Sequence, residues 1–285
     1  MSIIVNTNVQ SLVAQRNLST ATNRLNSSTE RLSTGLRINS AVDDSAGLFV
    51  ATGLSSQLSG SQQCQNNIAL GINVLQIAEG DLTTIQSDVM RIKDLTTQAA
   101  SGTYSTSSRQ AIAQEITARV QEINRISAAS TFNGLHLLNG SSPLGTEGLK
   151  IQVGAGSDQT ANAITIDKTI FKSASAGGIG LSWVTATSIA TTTSAAAFIK
   201  TCEDVLTEVT NRRTTLGVAQ SRLEMAQDGL AVTIENVSSA KSTIMDTDVA
   251  SEVSEYTKQQ ILQQISTSIL TQANQAPSVA LSLLQ

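Results

Sequence analysis

The sequence has few of the residues that build compact globular cores. Its 285 residues include four Phe, two Tyr, one Trp and two prolines, although aromatic side chains usually dominate the packing of such cores. Charged residues make up 14% of the chain, against roughly 25% in an ordinary soluble domain. Aliphatic residues are plentiful, so the chain is not expected to be disordered. We therefore predict an elongated protein that buries its apolar surface along aliphatic helix seams.

Other absences exclude whole classes of function. A net charge of −4 provides none of the broad positive field that nucleic-acid binders use. No apolar run is as long as a transmembrane helix requires. The segment 2–5 is too short for the apolar part of a secretory signal. We expect the chain to bind no nucleic acid and to insert into no membrane.

The residue types needed for a catalytic or metal site are also scarce. His136 is the single histidine, which removes most general-base and metal-ligand arrangements. No phosphate-binding glycine loop and no nucleophile elbow is present. Asp43 and Asp44 are interpreted as acids in the first turn of a helix that Ser40 caps. We therefore expect no catalytic residue, no metal site, no cofactor and no enzymatic activity.

Helical periodicity is the strongest signal in the chain. Three series of residues follow the spacing of helices that pack side by side. They are Cys202, Val209, Leu216, Leu223, Leu230, Val237 and Ile244, then Cys64, Ile68, Leu75, Ala78, Leu82, Ile85, Val89 and Ile92, and lastly Ile112, Ile116, Ile123 and Ile126. Alternating residues in 149–153 and 164–166 predict a β-hairpin with a long loop. The predicted fold class is mainly α, an elongated antiparallel helical bundle or coiled coil with a small β-hairpin region and long terminal helices.

Each terminal segment carries a thinner apolar stripe. The two stripes contain Leu18, Leu25 and Leu32 near the amino end and Leu262, Ile265 and Ile269 near the carboxyl end. Either stripe is too narrow to keep a lone helix stable in water. The first segment is basic and the approach to the last one is acidic. We predict that the termini are complementary, and that they become ordered when they pair with each other and with neighbouring subunits.

The spacing of these signals predicts three domains. Residues 1–46 and 246–285 form a terminal coiled-coil domain, and residues 47–172 and 198–245 form a helical core domain with the hairpin. Residues 173–197 are rich in Gly, Ala, Ser and Thr and are expected to be a short surface excursion. Its hydroxyls are either O-glycosylation sites or a plain polar surface. The candidates are Ser182, Thr185, Thr187, Ser188 and Thr191.

Long sequence motifs lie at both ends of the chain. The stretch 31–47, RLSTGLRINSAVDDSAG, is similar to the amino-terminal signature of the bacterial flagellin family, and the opening 4–8 matches as well. The carboxyl end is similar to the carboxy-terminal signature of the same family. The matching parts of that end are 261–264, 272–275 and 281–284, and segments 131–134 and 151–154 resemble core-domain motifs. Only a short gap separates the two halves, so the family's outer domains are expected to be minimal or absent.

The resemblance implies a self-assembling structural subunit of the extracellular bacterial flagellar filament, which serves motility. It also implies unfolded export through the flagellar type III channel, with an export chaperone bound at 246–285. Hook-associated junction and cap proteins would be further partners, and Toll-like receptor 5 would recognise a patch at Arg91, Leu95 and Glu115. Polymerisation would depend on the paired termini. The implied residues there are Leu18, Leu25, Leu32, Leu262, Ile265, Ile269, Leu283 and Leu284.

Two alternatives remain open at this point. A hook–filament junction protein of the same family would form short capped oligomers instead of long filaments. A signalling coiled-coil rod, from a different class, would assemble without residues 246–285. For a filament subunit, removal of the same segment should abolish polymerisation.

Overall fold

A computed structural model describes residues 7–140, 144–181, 189 and 191–282, and it describes Gly145 and residues 276–282 by their backbone alone. The described chain is dominated by long helices, with two small antiparallel sheets. In chain order the elements are α1 (Val9–Thr34), α2 (Ser45–Ala100), α3 (Thr106–Ala129), β1 (Thr131–Phe132), β2 (Leu135–His136), α4 (Leu144–Glu147), β3 (Leu149–Gln152), α5 (Gln159–Asn162), β4 (Ala163–Ile166), α6 (Thr192–Met245) and α7 (Val249–Ser282). The mainly helical fold class with a small hairpin is confirmed.

The chain divides into two compact units. The first unit consists of Met1–Leu58 and Asn236–Gln285, and the second consists of Ser59–Glu235. The first contains the pairing of α1 with α7, and the second contains the hydrophobic core formed by parts of α2 and α6 with α3 and the hairpins.

The predicted heptad seams form the core of the second unit. Lys93 Nζ lies 3.0 Å from Glu203, and Arg213 Nη2 lies 3.3 Å from Glu79, so α2 and α6 run antiparallel there. The seam of α6 is buried as far as Leu230, and its continuation in the first unit is half-buried. Fully buried seam residues include Ile68, Leu82, Ile85, Val89, Ile116, Ile123, Val209 and Leu223. The three seams predicted from the sequence are confirmed in this unit.

Both cysteines lie on these seams as buried, free thiols. Cys202 is 0% exposed and Cys64 is 4% exposed. Burial raises the pKa of the Cys64 thiol, and it raises that of Cys202 to about 11, because the low-dielectric interior disfavours the thiolate. Both side chains therefore act as small apolar residues of the core.

The predicted β-hairpin is confirmed, and it sits on α2. Strand β3 pairs antiparallel with β4, and Ile151 faces Ile164 in the register. Ile151 packs onto α2 at Gly71, where an added Cβ would overlap its Cδ1 atom and lie 3.5 Å from Leu223. Glycine at this position therefore permits a close approach that any other residue would block.

Replacing Gly71 by Ala should lower the free energy of unfolding by about 1–3 kcal/mol, because the new methyl group displaces Ile151. Gly80→Ala on the same helix is the matched control, since a Cβ there meets nothing within 4 Å. The control should stabilise the protein by about 0.5–1 kcal/mol, because Ala forms helices better than Gly. Urea unfolding measures the free energy of unfolding of both variants. If both substitutions changed this free energy in the same direction, the packing of Ile151 on Gly71 would be contradicted.

The segment expected to be a surface excursion, 173–197, differs from that expectation where the structure describes it. Backbone N–H groups of Ala174 and Ala176 donate to the Leu138 carbonyl and to Asn124 Oδ1, at 2.7 and 2.8 Å. Helix α6 already begins at Thr192. Residues Ala174, Ala176, Ile179, Leu181 and Ile189 are buried in the core of the second unit. Small side chains look polar and flexible in the sequence, but they let this backbone lie directly against the bundle.

The start of α2 also differs from the prediction, which made Ser40 the cap. Asp44 caps the helix instead, because its Oδ1 accepts the N–H of Gly47 at 2.8 Å. The Asp43 carboxylate accepts the hydroxyl and the N–H of Ser40, both at 2.9 Å. These hydrogen bonds hold the pKa of Asp43 below its usual value. Both carboxylates thus stabilise local backbone structure.

Candidate assembly interface

The ends of α1 and α7 are tied together by backbone hydrogen bonds. Helix α1 ends at Thr34 and is capped by Gly35, whose φ of 72° lets its N–H reach the Arg31 carbonyl. The next residues pair with the α6–α7 junction: Arg37 N–H donates to Met245 O at 2.6 Å, and Thr247 N–H donates to Gly35 O at 3.0 Å. The turn after α1 therefore fixes where α7 begins.

Polar side chains then set the antiparallel register of the two helices. Asn8 Nδ2 donates to the Ala273 carbonyl at 2.7 Å, and Gln263 Nε2 donates to Thr22 Oγ1 at 3.3 Å. Near the other end, Arg31 Nη1 lies 3.8 Å from Glu252 Oε2. The predicted pairing of a basic amino-terminal segment with an acidic approach to α7 is seen in this contact. Buried or half-buried polar pairs of this kind specify register better than they add stability.

Small and polar residues form the contact between α1 and α7. Helix α1 buries Ala14, Ala21 and Ser28, which are 3%, 5% and 4% exposed. Helix α7 buries Gln259 and Ala273 opposite them, at 1% and 7% exposed. Small side chains allow two helices to approach closely with little apolar area between them. The predicted stripe residues of α1, Leu18, Leu25 and Leu32, lie beside this contact and are half-buried.

The predicted apolar stripe of α7 is open to solvent in the subunit. Leu262, Ile265 and Ile269 are 39%, 47% and 52% exposed, and they face a groove along α1. The groove has a cavity of about 560 Å³ between Val9 and Ala273 and another of about 320 Å³ around Ala21. The two cavities are lined by Val9, Gln10, Val13, Ala14, Asn17, Thr20, Ala21, Arg24, Gln259, Leu262, Ile265, Ser266, Ile269, Gln272 and Ala273. We call this surface the α1–α7 groove.

The α1–α7 groove is almost free of charge. Arg24 is the one charged side chain among its lining residues. The pKa of nearby Glu255 lies below its usual value, chiefly because Gln259 donates a hydrogen bond to it, with a smaller contribution from Arg24. The lining combines aliphatic side chains with uncharged amides and hydroxyls, so this concave surface suits an aliphatic side chain of a protein partner.

The sequence did not single out the amino-terminal wall of this groove. Val9 and Val13 of this wall are 59% and 41% exposed, and Leu12, outside the lining, is 58% exposed. Their spacing of three and four residues is a helical apolar signal that was available in the sequence. The register-setting amides, in contrast, had no recognisable signal, because single Asn and Gln residues occur throughout this chain.

Other predicted site residues lie elsewhere or outside the described residues. Leu283 and Leu284 lie outside the described part, as do Ser182, Thr185, Thr187 and Ser188. Thr191 is described and exposed, and its Oγ1 accepts the Ser194 N–H at 3.2 Å at the start of α6. Its hydroxyl therefore caps that helix.

The three residues of the predicted receptor patch are not equally accessible. Arg91 Nε and Nη2 donate to Glu115 Oε1 at 3.2 and 3.0 Å, and this pair between α2 and α3 is largely exposed. Leu95 is 3% exposed and belongs to the core. The structure thus brings Arg91 and Glu115 together at the surface and places Leu95 beneath it.

A metal centre and a membrane span were also sought among the described residues. That part of the chain contains no group of three His, Cys, Asp or Glu residues arranged to hold a metal ion. None of the helices in the same ranges is both long enough and apolar enough to cross a bilayer.

Comparison with known proteins supplies an independent view of the chain. Residues 5–143 match the family model for the bacterial flagellin N-terminal helical region, and residues 199–284 match the one for the C-terminal helical region. The chain is 36% identical to the flagellar filament 30.7 kDa core protein of Treponema maltophilum, over 99% of this chain and 100% of that protein. It is 34% identical to flagellin FlaB1 of Treponema pallidum, with the same coverage.

A solved structure supports the same fold. It is described as a flagellar hook-associated protein from Vibrio parahaemolyticus, and it aligns with a TM-score of 0.55 at 14% identity. The alignment covers 72% of this chain and 100% of that one.

Proposed function

The chain belongs to the bacterial flagellin family, and from that premise we infer that it is a structural subunit of the extracellular flagellar filament. Two family models together match both helical halves, and relatives named as a flagellar filament core protein and as a flagellin align along their whole length. The chain is therefore a filament protein that associates with itself in a motility structure, and it is not an enzyme.

We propose that copies of the chain join through the α1–α7 groove. The observation that carries this proposal is the exposed stripe of Leu262, Ile265 and Ile269, which contributes little to pairing within the subunit. Apolar surface of this extent on a soluble chain marks an interaction site, because its exposure to water is unfavourable. A groove that receives a different surface of the next copy gives a heterologous contact, which builds an open helical polymer when the rotation between copies does not close a ring.

The proposed place of each segment in the filament follows the domains predicted from the sequence. Residues 1–46 and 246–285 would form the inner tube of the filament, where the apolar groove is filled. Residues 47–172 and 198–245 would surround that tube. The sequence after residue 259 carries no charge, which supports this arrangement. Its amide and aliphatic side chains can be buried together at low cost only where other protein segments supply hydrogen-bond partners for the amides.

Residues 246–285 are also proposed to bind an export chaperone before assembly. Val249, Val253 and Ile261 are 58%, 47% and 51% exposed, so α7 carries apolar side chains on more than one face. A chaperone that covers them would prevent premature association during export through the type III channel. Junction and cap proteins are proposed to fill the same groove at the ends of the filament, where a neighbouring copy is missing.

Toll-like receptor 5 is a further proposed partner. The exposed pair of Arg91 and Glu115, in which Nε and Nη2 both donate to Oε1, leaves Glu115 Oε2 and the remaining Arg91 donors for a receptor to contact. Leu95 would act from the core, by holding α2 in place under this pair. An Arg91→Ala chain should therefore lose receptor signalling without losing its fold, and a reporter assay with soluble receptor tests this.

Truncation of the chain after residue 245 tests the main proposal. The shortened chain should form no sedimentable polymer at any concentration at which the full chain polymerises, because one wall of the α1–α7 groove is gone. Far-ultraviolet circular dichroism should still show the helices of the second unit. Short capped oligomers of the full chain would favour a junction protein, and polymerisation of the truncated chain would favour a coiled-coil rod.

A further inference from the structure

The second unit carries an exposed apolar stripe of its own on α6. Val218, Met225 and Val232 are 57%, 65% and 58% exposed, and they recur at intervals of seven residues. At about 100° per residue they lie within about 40° of one another on the helix. The buried seam of Leu216 and Leu223 faces the opposite side. The α6 stripe therefore has no partner within the described subunit.

Two further features of the α6 stripe suit the approach of another helix. Arg222 and Asp228 are the charged residues on this face, each about 60° from the middle of the stripe, and the Arg222 side chain makes no ion pair or hydrogen bond with the described residues. Gly229 lies on the same face, and an added Cβ there would meet nothing within 4 Å. A glycine in an exposed helix interior costs stability unless something else requires it.

Helix α2 carries a matching stripe. Leu70 and Ile77 are 52% and 40% exposed and lie seven residues apart. Asp81 lies on the same face of α2, and it is the single charged residue of that face between residues 63 and 84. Its side chain, like that of Arg222, has no ion-pair partner in the described part of the chain.

The two stripes match in one antiparallel alignment. Because α2 and α6 are antiparallel within the unit, they are also antiparallel between two copies that share one polarity. When Val232 is placed opposite Leu70, Met225 falls opposite Ile77 with no further adjustment. Arg222 then lies within one residue of Asp81, which is about 1.5 Å along the axis. A single register thus places apolar residues opposite apolar residues and brings the two opposite charges next to each other.

We propose that the α6 stripe of one copy packs against the α2 stripe of a second copy in the filament. This contact rests on the proposed function and adds to it a second subunit interface, formed by the unit of residues 59–235. Met225 and Val232 supply the apolar contact with Leu70 and Ile77. The pair formed by Arg222 and Asp81 selects the register, since other heptad alignments leave both charges without a partner.

Charge reversal in the full-length chain tests this interface. Arg222→Glu and Asp81→Arg should each raise the critical concentration for polymerisation by about tenfold or more, because each places like charges opposite one another. The double variant restores the pair in reverse and should return to within about threefold of the wild type. Met225→Lys, which removes the apolar contact, should not be rescued by either change. Sedimentation at equilibrium measures the critical concentration.

The outcomes separate this interface from the proposed function. The proposed pairing would be overturned if the single variants polymerised like the wild type. It would also be overturned if the critical concentration of the double variant rose by the product of the two single increases. If the chain truncated after residue 245 fails to polymerise in the same experiments, the groove remains supported. If the truncated chain polymerises, the proposed function itself fails. Both charged residues are at the surface, so circular dichroism should show unchanged monomers.

Discussion

A chain with Ile269→Asp does not polymerise at concentrations up to about 100-fold above the wild-type critical concentration. Ile269 is 52% exposed in the subunit, so a carboxylate there is hydrated and leaves the pairing of α1 and α7 intact. In the polymer the same carboxylate would be buried in a groove whose single charged lining residue, Arg24, lies about two turns or more along α1 from the segment opposite Ile269. Burying an unpaired charge costs several kcal/mol, which is more than enough for this loss.

Ile269→Leu is the matched control, because it retains the volume and the apolar character of the side chain. Its critical concentration should stay within about tenfold of the wild type, as volume-conserving apolar changes cost less than about 1.5 kcal/mol. Sedimentation and electron microscopy of both variants measure the result. Normal filaments from the Ile269→Asp chain would show that the groove stays open to water in the polymer.

The second large effect is expected at Arg212, a buried cation on the α6 seam. Its side chain is 4% exposed, and its Nε donates to Glu208 at 2.9 Å. Its Nη1 donates to the carbonyls of Lys172 and Ser173 at 3.0 and 3.2 Å. Arg212 thereby fastens the segment before α6 to the bundle across about 40 residues of sequence.

Arg212→Ala should lower the free energy of unfolding by about 2–4 kcal/mol, because it leaves two carbonyls without a donor and opens a cavity. The neighbouring Arg213 is the matched control. Its side chain is 32% exposed and pairs with Glu79, so Arg213→Ala should cost about 1 kcal/mol or less. Urea unfolding compares the two, and equal losses would contradict the role given to Arg212.

Much of the fold follows from periodicity alone. The seams through Leu82 and Leu223 were predicted because a repeat of seven residues sustained over many turns specifies packed helices. The hairpin at Ile151 was predicted from alternation, which is the corresponding signal for a strand. Arg212 was visible as a polar residue in an apolar seam. Its partners were not, because they are backbone carbonyls distant in the sequence.

The differences between sequence and structure have local causes. Ser40 and Asp44 are both good cap residues, and the intervening turn decides between them through the hydrogen bonds of Asp43. The segment around Ala174 looked like a surface loop because small residues carry no strong apolar signal. Its burial depends on hydrogen bonds to Asn124 and Leu138, which no local pattern encodes.

The assembly surface was predicted in part. The apolar stripe through Ile265 was predicted from the spacing of its residues, and the terminal segment that carries it was expected to pair with neighbouring copies of the chain. No pattern in the sequence indicates that α1 and α7 meet through Ala21 and Gln259 and leave the larger apolar residues outside. A helical pattern identifies an apolar face without saying whether the partner is the same chain or another copy.

Thiol labelling of an Ile269→Cys chain tests most directly whether the α1–α7 groove is filled in the filament. The two native cysteines are buried, with pKa values above the ordinary range, so they contribute little background reaction. The new thiol should react with a maleimide readily in the monomer and more than about 100-fold more slowly in the filament. Depolymerisation should restore the monomer rate. Equal rates in monomer and filament would contradict the role of the groove in assembly.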